Sequence, residues 1–392
     1  MTEQEQTAPG DWRVFHATGR APDGPPPELP EPPPWRRFRG GPAQPPPPDD
    51  TEAALRRLGT SGVVQQLGVK EADIVNAALV LRRPLLVTGP PGIGKSTLAF
   101  LIGRELGLGR VLEWGIVSRT TLRDGLHTYD ALGRAQAIAA WRAGARERDL
   151  WERDLREEDR GEGGVRERRV AESADDGDDV GEAGRAPAGG RGRATSENRQ
   201  QAPTLGEFIT LGALGTALLP YDRPRVLLVD ELDKSDIDLP NDLLHVLENG
   251  SYEIPELVRD AAESALVHTS DPGGHAVVRD GRIECREFPV VVITSNGERE
   301  FPAAFRRRCL PLELQPPTRE QLLAIVVSHL RELPDGAETL VDEYLHRVGG
   351  GGTHSLDQLL NAVQLTTLSG SQADADGRKL VEMLLRDLAK GR

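Results

Sequence analysis

A glycine-rich segment at residues 89–96 has the residue types and spacing that could hold phosphate groups. It satisfies the pattern of a phosphate-binding loop and reads Gly89-Pro90-Pro91-Gly92-Ile93-Gly94-Lys95-Ser96, with Thr97 next. Glycines let the backbone curl so that successive N–H groups face one anion, and a following helix adds the positive end of its dipole. Lys95 would then reach the β- and γ-phosphates, and the Ser96 hydroxyl could ligate Mg²⁺. The segment therefore predicts a nucleotide site.

An acidic pair farther along the chain could complete a hydrolysis site. Asp230 and Glu231 directly follow the apolar run Val226-Leu227-Leu228-Val229. Next to a phosphate loop, Asp230 would hold Mg²⁺, usually through water, and Glu231 would accept the proton of the attacking water. Acidic residues that merely end a strand are the alternative, and the phosphate loop makes that alternative the weaker one.

Two later polar positions also have the residue types that phosphate chemistry uses. Asn296 follows a hydrophobic run, where its amide could orient the water or touch the γ-phosphate, or could instead cap a loop. The basic run Arg306-Arg307-Arg308 could supply a guanidinium or form a solvated turn. The order of these positions along the chain favours the functional interpretation of both.

Short runs made mostly of β-branched residues and leucine predict the strands that position these residues. Such runs are typical of strands buried on both faces of a parallel sheet, and they occupy residues 85–88, 111–114, 226–229 and 290–294. Apolar residues with helical spacing lie between them, at 96–106 and 239–248. The alternation predicts an α/β fold.

From Thr318 onward the patterns are helical only. Thr318-x-x-Gln321 and Ser355-x-x-Gln358 both read as capping boxes that open amphipathic helices. We therefore expect an α/β nucleotide-binding domain at residues 53–315 and a small helical domain at 316–392.

Two segments have compositions that predict disorder. Residues 1–52 are rich in proline, which favours extended backbone and cannot continue a helix, so we expect a disordered tail. Its four aromatics could anchor a partner or the chain's own surface, or could simply be scattered in a disordered arm; they are Trp12, Phe15, Trp35 and Phe38. Residues 142–203 are charged and lack apolar periodicity, so they read as a disordered insertion, although 135–160 could form a solvated helix.

The overall composition excludes some classes of protein. The net charge of −14 argues against a general nucleic-acid coat, which needs a basic face. Two cysteines cannot build a disulfide framework, and their number fits a reducing cytoplasm. No run approaches the roughly 18 apolar residues of a membrane span, and we expect no signal peptide. We expect a soluble, cytoplasmic protein.

These motifs together resemble the MoxR-type branch of the AAA+ ATPases over residues 67–368. The resemblance rests on the phosphate loop and three later segments, which read Val229-Asp230-Glu231-Leu232-Asp233-Lys234-Ser235, Tyr252-Glu253-Ile254-Pro255-Glu256-Leu257 and Thr294-Ser295-Asn296. It implies a P-loop NTPase with a five-stranded parallel sheet and a helical lid. It also implies ATP and Mg²⁺ as ligands, and a homo-oligomeric ring that is expected to be a hexamer.

The resemblance also assigns roles to individual residues. It implies that Asn296 is a sensor of the γ-phosphate and that Arg308, or its neighbour Arg307, is a finger for the adjacent subunit's nucleotide. Gly68 and Val69 are implied as adenine contacts, and residues 276–285 as an extra hairpin. One departure concerns the lid: where many AAA+ proteins carry an arginine, this chain has His354, which is only partly charged at neutral pH.

Three uses of such an ATPase compete. The resemblance implies a chaperone or remodelling motor that acts on a protein partner, such as a protein with a von Willebrand A domain. A nucleotide-dependent switch in a bacterial defence or signalling system is the alternative. A DNA-remodelling motor is the weakest, because the acidic chain has no basic stripe beyond the arginine run and a Gly/Arg segment.

Overall fold

The computed structural model describes residues 12–59, 67–171, 202–260, 262–349 and 355–369. These residues contain eleven strands: β1 Leu85–Thr88, β2 Leu112–Gly115, β3 His127–Tyr129, β4 Ile209–Leu211, β5 Val226–Asp230, β6 Ser251–Glu253, β7 Ser264–His268, β8 His275–Arg279, β9 Arg282–Glu284, β10 Val290–Ser295 and β11 Leu310–Glu313. They also contain twelve α-helices: α1 Thr51–Leu58, α2 Val69–Leu81, α3 Thr97–Glu105, α4 Leu122–Leu126, α5 Ala131–Ala171, α6 Ala213–Ala217, α7 Leu239–Asn249, α8 Pro255–Asp260, α9 Ala303–Arg306, α10 Arg319–Leu330, α11 Ala337–Gly349 and α12 Leu356–Ser369. None of the described helices is both long and apolar enough to span a membrane.

A five-stranded parallel sheet forms the centre of the α/β fold. Its strand order is β11-β1-β10-β5-β2, and every neighbouring pair is parallel. Four of the five strands, β1, β2, β5 and β10, were predicted from apolar runs, and β5 and β10 are buried nearly throughout, as their Val, Leu and Ile residues predict. The predicted strands are confirmed to within one residue at their ends. This fold is compatible with a P-loop NTPase.

A second sheet carries the hairpin that the sequence indicates. Its strand order is β3-β4-β7-β8-β9-β6, and β8 and β9 are antiparallel. Asp280 and Gly281 join these two strands with φ angles of 50° and 67°. Both residues therefore adopt the left-handed conformation that a two-residue hairpin turn of this type requires, so this part of the prediction is confirmed.

Helices pack on the parallel sheet and in a separate cluster near the end of the described chain. Residues of α2 and α3, among them Val75 and Phe100, share one core with alternate residues of β5 and β10. Helices α10, α11 and α12 pack around a core of their own. Both predicted capping boxes are present, since Thr318 and Ser355 each exchange hydrogen bonds with a glutamine three residues later.

The prediction of a disordered tail is wrong for residues 12–50, which we call the N-terminal strap. The strap lies in extended conformation along the domain, and the side chain of Phe15 is fully buried in the main core. Proline prevents a helix but not burial, provided that other groups satisfy the backbone. Residues 1–11 lie outside the described residues.

Two side chains form hydrogen bonds with six polar backbone groups at the start of the strap. The amide of Asn76 in α2 accepts hydrogen bonds from Val14 N and Phe15 N, at 2.9 and 3.0 Å, and donates to Phe15 O. The carboxylate of Glu105 in α3 accepts from the backbone of His16, Thr18 and Gly19. These contacts replace a strand partner, which is why an extended, proline-rich segment can pack here.

Residues Tyr129–Phe208 form a separate compact unit. Its helix α5 continues to Ala171, so the expected disorder of 142–203 is wrong for 142–171, while 172–201 lie outside the described residues. The predicted helix at 135–160 is confirmed. Alanine, arginine and glutamate have high intrinsic helix propensity, which explains a helix without an apolar stripe. Asp130 N donates to Phe208 O at 2.9 Å, so the first and last residues of this unit lie close together.

Candidate functional site

The predicted site residues meet at one edge of the parallel sheet. The phosphate loop follows β1, Asp230 ends β5, and Asn296 follows β10. Because β10 lies between β1 and β5, the carboxyl ends of these three strands are neighbours. Ligands of open α/β sheets bind at this edge.

The phosphate loop has the curled backbone that its glycines predict. Gly92 and Gly94 have φ angles of 77° and 91°, in the region that strongly favours glycine. Thr97 N donates to Gly94 O at 3.1 Å, and α3 begins at Thr97, one residue later than predicted. The loop therefore leads directly into a helix N-terminus, where an anion is favoured.

Lys95 connects the loop to the neighbouring strand end. Its Nζ donates to Gly89 O at 2.9 Å, to Pro90 O at 2.8 Å and to Asn296 Oδ1 at 2.7 Å. Burial lowers the pKa of Lys95, although the negative charges of Asp233, Asp230 and Glu231 oppose the shift. An anion bound in the loop would favour the charged ammonium further.

One hydroxyl pair places Asp230 beside the loop. Ser96 Oγ donates to Asp230 Oδ1 at 2.6 Å, and Thr294 Oγ1 donates to the same oxygen at 2.7 Å. Thr294 Oγ1 also accepts from Glu231 N at 2.8 Å. Thr294 is buried in β10, and the sequence motif that contains it assigns no role to this hydroxyl. A threonine just before a polar strand end was the signal in the sequence.

Glu231 is held by its backbone and by its side chain. Its φ and ψ of 61° and 48° lie in the left-handed region, which is rare for a residue other than glycine and is frequent at functional sites. Lys234 Nζ donates to Glu231 Oε2 at 2.6 Å, and Asn296 Nδ2 donates to Oε1 at 3.4 Å. Both carboxylate oxygens are therefore engaged. The hydrogen bond to Glu231 raises the pKa of Lys234.

Asp233 holds the backbone of Asn296 in place. Its Oδ2 accepts from Asn296 N at 2.9 Å and from Glu298 N at 3.1 Å. The side chain is buried, and its other oxygen has no hydrogen-bond partner within the described part of the chain. The sequence indicates no separate role for Asp233, because its closeness to Asn296 depends on the sheet order, which the sequence does not state.

The start of α12 packs directly on the phosphate loop. Leu356 N donates to Gly92 O at 3.0 Å, and a Cβ on Gly92 would lie 2.5 Å from Ser355 Cα. Gly92 is therefore required both by its φ angle and by this close approach. His354, the candidate sensor of the lid, lies outside the described residues.

The arginine run lies apart from the network around Lys95. Arg308 forms an ion pair with Glu248 at the end of α7 and donates to Ala304 O at 3.1 Å, while Arg307 Nε donates to Ala303 O. Among the described residues, no hydrogen bond or ion pair joins Arg306, Arg307 or Arg308 to the phosphate loop or to Asp230 and Glu231. The structure does not bring this part of the predicted site together within one chain.

The residues at the sheet edge fit a magnesium-bound triphosphate. The Ser96 hydroxyl and the Asp230 carboxylate are adjacent hard oxygen ligands, which Mg²⁺ prefers. The described residues contain no cluster of three or more histidine, cysteine or acidic side chains that could hold a metal. Protein sites usually bind Mg²⁺ with one or two carboxylates together with substrate phosphates and water.

Other predicted positions differ in what they can do. Gly68 precedes α2 and Val69 begins it, with Val69 largely exposed, so both are accessible to a ligand. Cys285 and Cys309 are buried, and burial raises the pKa of each thiol to about 12, so neither is a reactive thiolate at neutral pH.

The sequence matches no protein-family model and no curated protein.

Proposed function

We propose that this protein binds and hydrolyses ATP with Mg²⁺ as an ATPase of the AAA+ type. The observation that supports this best is the single hydrogen-bonded network at the sheet edge. It joins Lys95 and Ser96 of the loop with Asp230, Thr294 and Asn296 at the ends of two other strands. Each of these residues is of a type that phosphate binding requires. Each also lies in the phosphate loop or at the end of a strand, where such sites place it.

In the proposed binding step, backbone N–H groups of the loop hold the phosphates, and they belong to Gly89, Gly92, Ile93, Gly94, Lys95, Ser96 and Thr97. Pro90 and Pro91 have no N–H and contribute only to the shape of the loop. Lys95 would exchange its contacts with Gly89 O and Pro90 O for phosphate oxygens. Ser96 and Asp230 would hold Mg²⁺, which neutralises charge on the β- and γ-phosphates. The choice of adenine, through Gly68 and Val69, rests on the family resemblance.

The proposed chemical step is attack of water on the γ-phosphorus. Glu231 accepts a proton from the water as the new P–O bond forms, and the bond to the β-phosphate oxygen breaks with its electron pair left on ADP. The products are ADP, inorganic phosphate and a proton that Glu231 later releases. Asn296, 3.4 Å from Glu231, orients the water or senses the γ-phosphate.

The proposed assembly is a homo-oligomeric ring, with a hexamer expected from the resemblance. Arg308, or Arg307, would reach the nucleotide of the adjacent subunit, because within its own chain it bonds elsewhere. The motor would act as a chaperone or activator on a protein partner, with a von Willebrand A domain protein as the kind of partner that the resemblance implies. The cytoplasm is the proposed location.

A nucleotide-dependent switch in a defence or signalling system is the second candidate. It is favoured by the engagement of both Glu231 oxygens, since each already accepts a hydrogen bond, from Lys234 and from Asn296. Slow turnover with a large ATP-induced change in assembly would support the switch. Steady turnover that a protein partner stimulates would support the motor.

Nucleotide binding tests the proposal most directly. We expect the full chain to bind a fluorescent ATP analogue with Mg²⁺, and Lys95→Ala to weaken binding about tenfold or more because a charge-assisted contact is lost. Arg319→Ala, which removes an exposed positive charge from α10, is the control and should bind like wild type. A folded wild-type protein with no affinity for adenine nucleotides and Mg²⁺ would overturn the proposed function.

A further inference from the structure

Trp35 of the N-terminal strap is a large apolar side chain that remains in solvent. It is 77% exposed, more than the other described tryptophans, which include Trp12 at 42% and Trp151 at 69%. The residue lies in a short 3₁₀ turn, Pro34–Arg36, that presents it away from the domain. A single exposed tryptophan is not unusual by itself, so its surroundings decide what it can do.

The residues around Trp35 are firmly anchored. Arg36 donates to Arg82 O just after α2, at 2.7 Å, and to Leu247 O and Glu248 O at the end of α7, at 3.1 Å. Its guanidinium lies 4.3 Å from the ring centre of Phe288. One arginine therefore ties the last carbonyl groups of two helices to the strap, so the turn that carries Trp35 is held in place.

Anchoring extends to the other side of the turn as well. Phe38 stacks on Phe288 with ring centroids 5.8 Å apart, and Arg39 N donates to Glu284 at 3.2 Å. Trp35 is thus an exposed aromatic group on a backbone that is fixed from both directions. A binding residue that is already ordered loses little conformational entropy when it docks.

Trp35 lines a groove together with the candidate finger. The groove, which we call the Trp35 groove, has a volume of about 450 Å³, and its other walls include Leu81, Arg83, Leu244, Glu248 and Arg308. With Arg36, Leu247 and Phe305 also in its walls, the groove combines two aromatic rings, three leucine side chains and three guanidinium groups. Tryptophan and arginine are the residue types that most often dominate the free energy of protein association.

Charge identifies the occupant of the groove. Three guanidinium groups, those of Arg36, Arg83 and Arg308, line the groove against one carboxylate, Glu248, which pairs with Arg308, so the groove has an excess of positive charge. The whole chain, by contrast, carries a net charge of −14. A second copy of the chain offers the acidic surface that this cluster would attract. The proposed trans role of Arg308 also requires that a neighbouring subunit approach this same face.

We propose that the Trp35 groove is the surface on which a second copy of this chain docks, with Trp35 as the main apolar anchor beside Arg308. The inference rests on the proposed function for the role of Arg308 and goes beyond it in assigning the strap to the subunit interface. The strap then has two faces: Phe15, Arg36 and Phe38 attach it to its own domain, and Trp35 contacts the neighbour.

Sedimentation velocity of the full chain tests the inference over a wide range of protein concentration, with and without MgATP. We expect Trp35→Ala to weaken self-association about tenfold or more and Trp35→Tyr to retain most of it. Trp151→Ala, which removes another exposed tryptophan from α5, is the matched control and should assemble like wild type. Thermal unfolding of dilute, dissociated subunits should be unchanged in all three variants, because these side chains are exposed in the single chain.

Two results would overturn the inference. One is a Trp35→Ala variant that assembles at wild-type concentrations, and the other is a wild-type chain that stays monomeric at every concentration. Binding of the fluorescent ATP analogue, measured on dilute subunits, distinguishes failure of this inference from failure of the proposed function. If wild type and Trp35→Ala bind nucleotide equally and differ only in assembly, both proposals stand; if wild type associates through Trp35 without binding nucleotide, only the ATPase assignment is lost.

Discussion

Thr294 Oγ1 donates a hydrogen bond to Asp230 Oδ1 at 2.7 Å, so that a buried hydroxyl in β10 fixes a carboxylate at the end of β5. Thr294 Oγ1 also accepts a hydrogen bond from the backbone N–H of Glu231, at 2.8 Å. One side chain thereby sets the positions of both acidic residues. Its two contacts connect the candidate metal ligand to the candidate base, across two strands that neighbour each other in the sheet.

Replacing this hydroxyl by a methyl group should reduce turnover more than nucleotide binding. In Thr294→Val the carboxylate and the Glu231 N–H each lose a buried partner, so we expect kcat to fall by about tenfold or more, as loss of one buried hydrogen bond costs roughly 1–3 kcal/mol. The Mg²⁺ concentration at which kcat reaches half of its maximum should also be higher than in wild type. Thr294→Ser keeps the hydroxyl and should recover most of both properties; equal activity of the valine and serine variants would contradict the assignment.

Glu231→Gln should separate binding from hydrolysis. Glutamine keeps the shape of the side chain and a contact with Asn296 but cannot accept the proton, so we expect affinity for ATP to be retained and turnover to fall by about 10²–10⁴. Binding is measured with the fluorescent ATP analogue and turnover by phosphate release. Glu253→Gln, at an exposed position of β6, is the control. Loss of ATP binding in Glu231→Gln would show that the role of Glu231 is misassigned.

The parts of the site that the sequence predicted are those defined by local pattern. The phosphate loop needs glycines at fixed positions between a strand and a helix, and Asp230 and Asn296 end apolar runs, so all three could be located from spacing. The contacts between them could not, because they depend on the strand order β1-β10-β5. Asp233 illustrates this: it holds the backbone of Asn296, 63 residues later in the chain.

The N-terminal strap shows where composition misleads. Proline runs correctly predicted extended backbone, yet extended backbone can be ordered when other side chains bind its polar groups. Asn76 and Glu105 do so here, but each lies within a helix and resembles any other polar helical residue in the sequence. The aromatics were the useful signal: Phe15 and Phe38 attach the strap to the domain, one of the alternatives that the sequence left open.

Arg308 should act on the nucleotide of a neighbouring subunit. We expect wild-type ATPase activity per subunit to rise with protein concentration and Arg308→Ala to lose about 10³-fold or more in turnover while it still binds ATP. Arg307→Ala distinguishes the second candidate, and Arg306→Ala, at an exposed position, is the control. Phosphate release at several protein concentrations provides the measurement.

Mixing two inactive variants makes this test sharper. A Glu231→Gln subunit retains Arg308 and can supply it to the intact site of an Arg308→Ala subunit, so the mixture should recover part of the wild-type rate. No recovery in mixed assemblies, or a wild-type rate per subunit that is independent of concentration across the range of assembly, would contradict a role in trans.

A buried ion pair that supports the acidic strand should control stability in acid. Arg225, directly before β5, is fully buried and forms two hydrogen bonds of 2.8 Å to Asp271 in the turn between β7 and β8. Burial by itself would raise the pKa of Asp271, but the hydrogen bonds and charges of Arg225 and Arg110 outweigh it and hold the pKa below the ordinary value of 3.8. The stabilisation is therefore complete above about pH 4 and is lost as the pH falls through the lower pKa of the folded state.

Asp271→Asn leaves the Arg225 charge buried without a counterion, so we expect the free energy of unfolding at neutral pH to fall by about 3–5 kcal/mol. The variant should also lose less of its remaining stability than wild type as the pH falls below about 4, because the titrating carboxyl is absent. Asp222→Asn is the control, since its ion pair with Arg286 is exposed to solvent and such pairs contribute little. Urea unfolding at a series of pH values measures both effects, and equal losses in the two variants would show that the Arg225 pair does not stabilise the fold.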